Sequence, residues 1–365
     1  MIGFLDIQTP MLKKHLFLHI GTHKTGSTTI QHYLKEHRAQ IEGHGFYYPM
    51  EGAYFYPAEA SPSLLAHAVL NRRPEYIGKT EVNLEACVSD MRRDIEQSQC
   101  PKVIVSSEHF SHAATRDDVQ RIADVFTGLF EKITVVVYLR RQDTRLESSW
   151  AQHVKMGNTV QSFDDFLAAH AGWNYLEMLK PWVEVFGQTQ VVIRPFEKGQ
   201  FVNHNLVSDF LHAVGCQAEI LDFPQRNTSP PIEFLEVVRV FGTSLSGFVQ
   251  RRAFQRIIRT LPIKIDRTKY TMFRPEDRHQ FLDRHRESNQ QLARELLGRP
   301  DGQLFYDKET SDLPSYSGLT LARFADISKQ IIVALVNLNN KNSSKTRNSP
   351  SALSPSSGLA PKKSQ

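Results

Sequence analysis

Leu16-Phe-Leu-His-Ile-Gly-Thr-His-Lys-Thr-Gly-Ser-Thr-Thr-Ile-Gln31 decides the fold. Leu16 to Ile20 is a short apolar run with the length of a buried strand. Gly21-Thr-His-Lys-Thr-Gly26 turns the chain, and Ser27 to about Gln40 continues with helical spacing. A strand, a glycine-bounded loop and a helix N-terminus together make an anion site. The first N–H groups of a helix have no partner inside it, and its dipole favours negative charge at that end. Gly21 and Gly26 have the separation of a nucleotide-hydrolase phosphate loop, G-x-x-x-x-G-K-[ST], but Ser27 stands at the lysine position. The lysine is Lys24, two residues before the second glycine.

Outward from this stretch the same grammar repeats. Lys102-Val-Ile-Val-Ser106, Ile133-Thr-Val-Val-Val-Tyr-Leu139 and Gln190-Val-Val-Ile-Arg194 are short apolar strands. Helical patterns at 83–97, 117–130, 143–156, 163–169, 174–186 and 201–214 alternate with them. Such alternation predicts a parallel sheet covered on both faces, with its ligand at the carboxyl ends of the strands. Gly21–Gly26, Ser107-Glu108-His109 and Arg140-Arg141 each follow a strand and are expected to meet in one crevice. Residues 43–76, rich in Gly, Pro, Tyr and Phe, form a long aromatic loop with a short helix at 63–71; it either walls an acceptor pocket or packs its rings inward. From Pro230 the pattern is helical: 232–260 with a break near Gly242 or Gly247, then 275–297 and 319–338.

Composition narrows the function. The chain has 365 residues and a formal net charge of +5. Lys341, Lys345, Arg347, Lys362 and Lys363 account for that charge, in a terminal stretch without acidic residues. The fold itself is balanced, which argues against nucleic acid as a partner. Cys87, Cys100 and Cys216 fit neither a metal spacing nor a disulfide framework, so a reducing, cytoplasmic setting is expected. No run of 18 apolar residues occurs. The expected organisation is a leader at 1–14, one domain at 15–338 and a disordered basic tail rich in Ser, Asn and Pro at 339–365.

Lys24-Thr25-Gly26-Ser27-Thr28 resembles the 5′-phosphosulfate loop of sulfotransferases that use 3′-phosphoadenosine 5′-phosphosulfate. Leu139-Arg140-Arg-Gln-Asp-Thr-Arg-Leu-Glu-Ser148 is similar to that family's second motif, an arginine at a strand end followed eight residues later by a serine. Less specifically, 191–215 and Ser288-Asn289 with Leu292-Ala293-Arg294 look like bacterial members. The resemblance implies an α/β, P-loop-type three-layer fold with a mostly parallel central sheet and a helical C-terminal part. It implies that Lys24, Thr25, Gly26, Ser27, Thr28 and Thr29 hold the 5′-phosphosulfate, and that Arg140 and Ser148 hold the 3′-phosphate. Arg141 and Ser149 share the eight-residue spacing, so the register is open by one. Lys24 is also expected to be catalytic, supporting the leaving group. The general base is Glu108 or His109, since branches of the family use either type after the second strand; Glu108 is favoured because it follows the apolar run more directly. His23 is expected to shape the loop.

The co-substrate implies no metal, and no acidic residue closes the strand 133–139 to hold Mg²⁺ as in a nucleotide hydrolase. The His19/His23 and His279/His285 spacings suggest no metal site. A carbohydrate or glycolipid acceptor fits the resemblance. Residues 248–274, basic and amphipathic, either contact an anionic surface peripherally or present a solvated helix face. Alternatives are a nucleotide-dependent phosphotransferase and a non-catalytic nucleotide- or membrane-binding protein. Nothing in the sequence fixes the oligomeric state.

Overall fold

The strand that enters the phosphate loop lies at the centre of the sheet. In the computed structural model, residues 12–56, 60–72, 82–170, 172–221, 230–260, 270–308 and 312–347 are described. Five strands, β1 (Leu12–His19), β2 (Phe46–Tyr47), β3 (Lys102–Ser106), β4 (Phe130–Leu139) and β5 (Val191–Pro195), stand in the order β2-β3-β1-β4-β5. All four pairings are parallel; Leu18 of β1 lies beside Val105 of β3 and Val135 of β4.

Both faces of the sheet are buried, as its near-continuous apolar strands require. Leu16, Leu18, Val103, Val105, Val135 and Val137 face one core, shared with Val119, Ile122 and Phe126 of the helix Arg116–Thr127 and with Leu179 and Trp182 of Tyr175–Phe186. Phe17, Ile104, Val136 and Tyr138 face the other, against Ile30, Tyr33 and Leu34 of α1 (Ser27–Glu36) and Val207 and Phe210 of Leu206–Ala213. The result is a three-layer α/β architecture. The helix after β1 covers one face and the helix after β3 covers the other. A crevice therefore opens between these adjacent strands at their carboxyl ends.

Several boundaries differ from the sequence expectations. β1 begins at Leu12, inside the expected leader. Lys14 is accommodated because its Nζ donates to the Ser98 and Cys100 carbonyls at 2.6 and 2.7 Å. The aromatic loop contributes β2 and turns its rings inward: Tyr47, Tyr48, Tyr54 and Phe55 are buried. The Tyr47 and Tyr54 hydroxyls both donate to Asp94, and Tyr48 donates to the Ala60 carbonyl at 2.7 Å. The described part of that loop thus packs in the core. Cys87 and Cys216 are buried free thiols and Cys100 is half-buried.

The chain divides into two compact units. The first comprises 1–152, 161–229 and 269–316 and holds the sheet; the second comprises 153–160, 230–268 and 317–365. In the second, Ile232–Thr243, Gly247–Thr260 and Leu321–Arg347 are helical, and Val237, Val238, Ile258, Ile327 and Ile331 form its core. The expected break near Gly242 or Gly247 falls between the first two helices. The last helix runs past Leu338 to Arg347; the remainder of the expected tail, 348–365, lies outside the described residues, as do 261–269 of the basic segment. Val249 is 79% exposed and Ile257 42% exposed on the basic helix, while Gln255 and Ile258 face inward. Among the described residues, no helix is long and apolar enough to cross a membrane.

Candidate functional site

The loop after β1 is tied down from within. Thr22 Oγ1 donates to the Tyr138 carbonyl at 2.9 Å, fastening the loop to β4. Thr25 Oγ1 donates to the Thr22 carbonyl at 2.6 Å, so its proton serves the loop itself. Lys24 adopts φ +73°, a left-handed conformation costing about 1–2 kcal/mol for a residue with a Cβ. Gly26 follows at φ +77° and caps α1, which has neither a side-chain cap nor an acidic residue in its first turn. The first N–H groups of α1 are thus left to an incoming anion. Gly26 is needed for space as well as conformation: a Cβ there would lie 2.4 Å from Leu206 Cδ2. Ser27 is buried at the start of α1, while Thr28 and Thr29 are half-buried.

The turn after β3 meets this loop directly. A Cβ added to Gly21 would lie 3.5 Å from Glu108 Cβ, so the two segments are in van der Waals contact. Gln31 of α1 donates to Glu108 Oε2 at 3.0 Å and to the Ser106 carbonyl at 3.2 Å. Burial alone would raise the Glu108 carboxyl; His109, the Gln31 amide and His23 outweigh it and hold the group below the usual glutamate range. Glu108 is therefore a carboxylate at neutral pH, able to accept a proton. His109, the other candidate base, is buried one residue on.

His109 and His112 lie on one 3₁₀ helix, Glu108–His112, where residues three apart eclipse. They meet His23 of the phosphate loop: one ring nitrogen from each of the three can be chosen so that all lie within 4.8 Å of one another. His23 Nε2 and His112 Nε2 are 2.7 Å apart, and the His67 ring stands 4.4 Å from that of His109. Burial, with added positive neighbours, lowers His23 to about 4 and His112 to about 3. The His23/His109/His112 grouping was not legible in the sequence, because His23 is far from the other two in the chain. The local signal was His109-x-x-His112 directly after a strand.

The two arginines at the end of β4 part company. Arg141 is engaged with Asp143 at 2.8 Å and with the Asp307 and Lys308 carbonyls at 2.9 and 2.7 Å. Arg140 turns to the loop, donating from Nη1 to the Lys24 carbonyl at 3.0 Å and from Nε to Thr144 Oγ1 at 3.1 Å. Among the described residues, Arg140 makes no ion pair within 4 Å. Burial depresses its pKa, as expected of a cation short of counter-charge. Ser148 and Ser149 are half-buried on the helix Gln142–Met156 that follows.

Arg145, on the first turns of the same helix, escaped the sequence pattern. It is 5% exposed, lies 4.0 Å from the Trp173 ring centroid and donates to Tyr175 Oη at 3.2 Å. It too makes no ion pair within 4 Å among the described residues, and it helps depress His23. Lys24, Arg140 and Arg145 thus give the crevice an excess of positive charge beside Glu108.

No protein-family model matches the chain. An uncharacterized protein of Archaeoglobus fulgidus is 30% identical over 175 residues, covering 45% of this chain and 46% of that protein. The chain therefore spans a little under half the length of this relative. Among solved structures, a sulfotransferase from Alicyclobacillus acidocaldarius aligns over 67% of this chain and 94% of its own, with 16% identity and a TM-score of 0.39.

Proposed function

We propose that this protein moves a sulfuryl group from 3′-phosphoadenosine 5′-phosphosulfate to a hydroxyl or amine of an acceptor, a carbohydrate or glycolipid. The carrying observation is the junction of Arg140 with the Lys24 carbonyl, which brings a cation that makes no ion pair among the described residues to a helix N-terminus lacking a side-chain cap. Two phosphate positions within one crevice suit a nucleotide carrying phosphates at both its 3′ and 5′ ends.

In this reading the acceptor oxygen bonds to sulfur while the bond from sulfur to the 5′-phosphate oxygen breaks. Glu108 takes the acceptor proton, and the electron pair of the broken bond stays on the departing phosphate. Lys24 and the N–H groups of Gly26, Ser27 and Thr28 stabilise the charge that develops there. Thr25 supports the loop, Thr29 stands on the first turn, and Arg140 with Ser148 holds the 3′-phosphate. Arg140 is preferred to Arg141 because Arg141 is committed to Asp143. The basic helix with exposed Val249 and Ile257 is assigned, in the same reading, to an anionic acceptor or the surface that bears it.

Calorimetry with 3′-phosphoadenosine 5′-phosphate and with ATP, without Mg²⁺, tests the proposal on wild type and Arg140→Ala. Tight bisphosphate binding, weak ATP binding and at least about a 10-fold loss in the variant are expected. Preference for ATP with Mg²⁺ would instead favour phosphoryl transfer, with Glu108 as a metal carboxylate. Absence of binding to either nucleotide would overturn the reading.

A further inference from the structure

We infer that His23, His109 and His112 form a binding site for a late first-row divalent cation, with Zn²⁺ as its best match. The inference rests on the convergence of three imidazoles from two separate loops, and it does not depend on the identity of the nucleotide. Neutral imidazole is the ligand form for Zn²⁺, Co²⁺ and Ni²⁺, and three such ligands leave a fourth position open. Ring nitrogens within 4.8 Å of one another surround a point that small side-chain rotations bring within the usual 2.0–2.1 Å metal–nitrogen distance.

The frame beneath these rings is built. The phosphate loop is fastened through Thr22 and Thr25. The 3₁₀ helix is capped by Ser107, anchored by buried Phe110 and held by Ser111 Oγ donating to the Glu108 carbonyl at 2.7 Å. Arg72 donates to the His112 carbonyl at 3.0 Å. Two of the rings already face each other nitrogen to nitrogen at 2.7 Å, a separation at which two protonated nitrogens would repel. One of them therefore accepts in the hydrogen bond, and that lone pair is the one a cation would take.

The local field has both signs. Arg145 and Lys24 oppose a cation at His23, and the Glu108 carboxylate favours one. Three imidazoles beside one carboxylate resemble the donor sets of sites that keep a water or substrate oxygen on the metal. Glu108 precedes His109 directly in the chain, and the acceptor oxygen of the proposed reaction would be a natural fourth ligand.

The test uses the untagged full chain, stripped with EDTA and dialysed against Zn²⁺, with metal content read by mass spectrometry. One Zn²⁺ per chain is expected. His23→Asn and His112→Ala should each weaken binding by at least about 100-fold, beyond the effect of losing an outer partner. His204→Ala, an exposed histidine elsewhere, serves as the control and should bind as wild type. Co²⁺ loading adds a second readout: visible absorption of a low-symmetry, four-coordinate ion that both ligand variants lose while their near-ultraviolet circular dichroism stays native. Retention that is substoichiometric, or equal in wild type and ligand variants, would overturn the inference and leave a hydrogen-bonded histidine pair. Bisphosphate calorimetry on the stripped protein tests the nucleotide site separately, so either assignment can fail alone.

Discussion

Arg140 reaches the main chain of Lys24, not its side chain: Nη1 donates to the Lys24 carbonyl oxygen at 3.0 Å. The lysine thus has two separable parts, a carbonyl that fixes the strand-end guanidinium and an ammonium that the proposed reaction assigns to the leaving group. Its φ of +73° adds a third property, a backbone conformation that glycine adopts without cost.

This separation predicts different outcomes for two truncations. On the proposed sulfuryl transfer, Lys24→Ala and Lys24→Gly should both lower turnover by about 100-fold or more, since neither would supply a cation to the leaving group. Both should keep bisphosphate affinity within about 10-fold, because the carbonyl contact to Arg140 survives. Lys24→Gly should nevertheless be more stable than Lys24→Ala by about 1 kcal/mol, the relief of left-handed strain. Urea denaturation of the two variants measures that difference; equal stability would mean the turn is not strained.

Glu108 and His109 are neighbours in sequence, but only the first is held as a carboxylate by a donor from α1. Glu108→Gln should lower kcat by about 100-fold or more and leave bisphosphate affinity within about threefold. The change is nearly isosteric, so the packing against Gly21 persists. Single-turnover rates for Glu108→Gln and His109→Gln discriminate the two bases. A larger loss in the histidine variant would transfer the role to His109.

His19 supplies a pH dependence of stability. It is fully buried on β1, with Nδ1 2.8 Å from Ser106 Oγ and, among the described residues, no hydrogen-bond partner for Nε2. Burial lowers it from 6.5 to about 4, against the opposing pull of Glu108. The folded protein therefore keeps this ring neutral where the unfolded chain protonates it. Stability contributed by the neutral ring is fully present above pH 6.5 and is lost as pH falls toward about 4. At 1.36 kcal/mol per unit, the step from pH 7 to pH 5 removes about 2 kcal/mol. Denaturant titrations at the two pH values should show His19→Asn losing about that much less than wild type. Identical losses would mean that His19 is protonated in the fold.

The depth of the fold legible in sequence follows from how local each signal is. β3 is legible to the residue because the apolar run Val103-Ile-Val105 is bounded by Lys102 and Ser106, and Phe163–Ala169 because Ser162 caps it. β2 was hidden because two residues inside an aromatic loop carry no period; only pairing with β3 defines them. The loop, Glu108 and Arg140 were legible because each directly follows a strand, and parallel topology gathers strand ends. Arg145 and the histidine cluster were not, because their meaning depends on what stands opposite. Arg145 acquires its character from Trp173 and Tyr175, and His112 from His23, all far away in the chain. The choice between Arg140 and Arg141 likewise rests on a partner, Asp143, whose orientation no spacing gives.

That partner anchors the helix behind the site. Asp143 is fully buried between two arginines, accepting from Arg141 Nε at 2.8 Å and Nη2 at 3.0 Å and pairing with Arg278 Nη1. Arg278 Nη2 also reaches Glu147 Oε1 at 3.3 Å, and the Met272 N–H donates to the same oxygen at 2.8 Å. The network clamps the helix Gln142–Met156, which carries Thr144, Arg145 and Ser148, to the segment leading into the helix Pro275–Glu295. Removing its centre takes the shared carboxylate from two buried guanidinium groups, leaving Arg278 only Glu147 and Arg141 only main-chain carbonyls, whereas removing one arm leaves a paired carboxylate. Asp143→Ala should therefore cost about 3–5 kcal/mol. Arg278→Met, which keeps the Arg141 pair and fills the space of the stem, should cost distinctly less, about 1–2 kcal/mol. Denaturant melts give the order. If Arg278→Met proved as damaging as Asp143→Ala, the Arg141 contact would not be sustaining the carboxylate, and Arg141 would again compete with Arg140 for the proposed 3′-phosphate position.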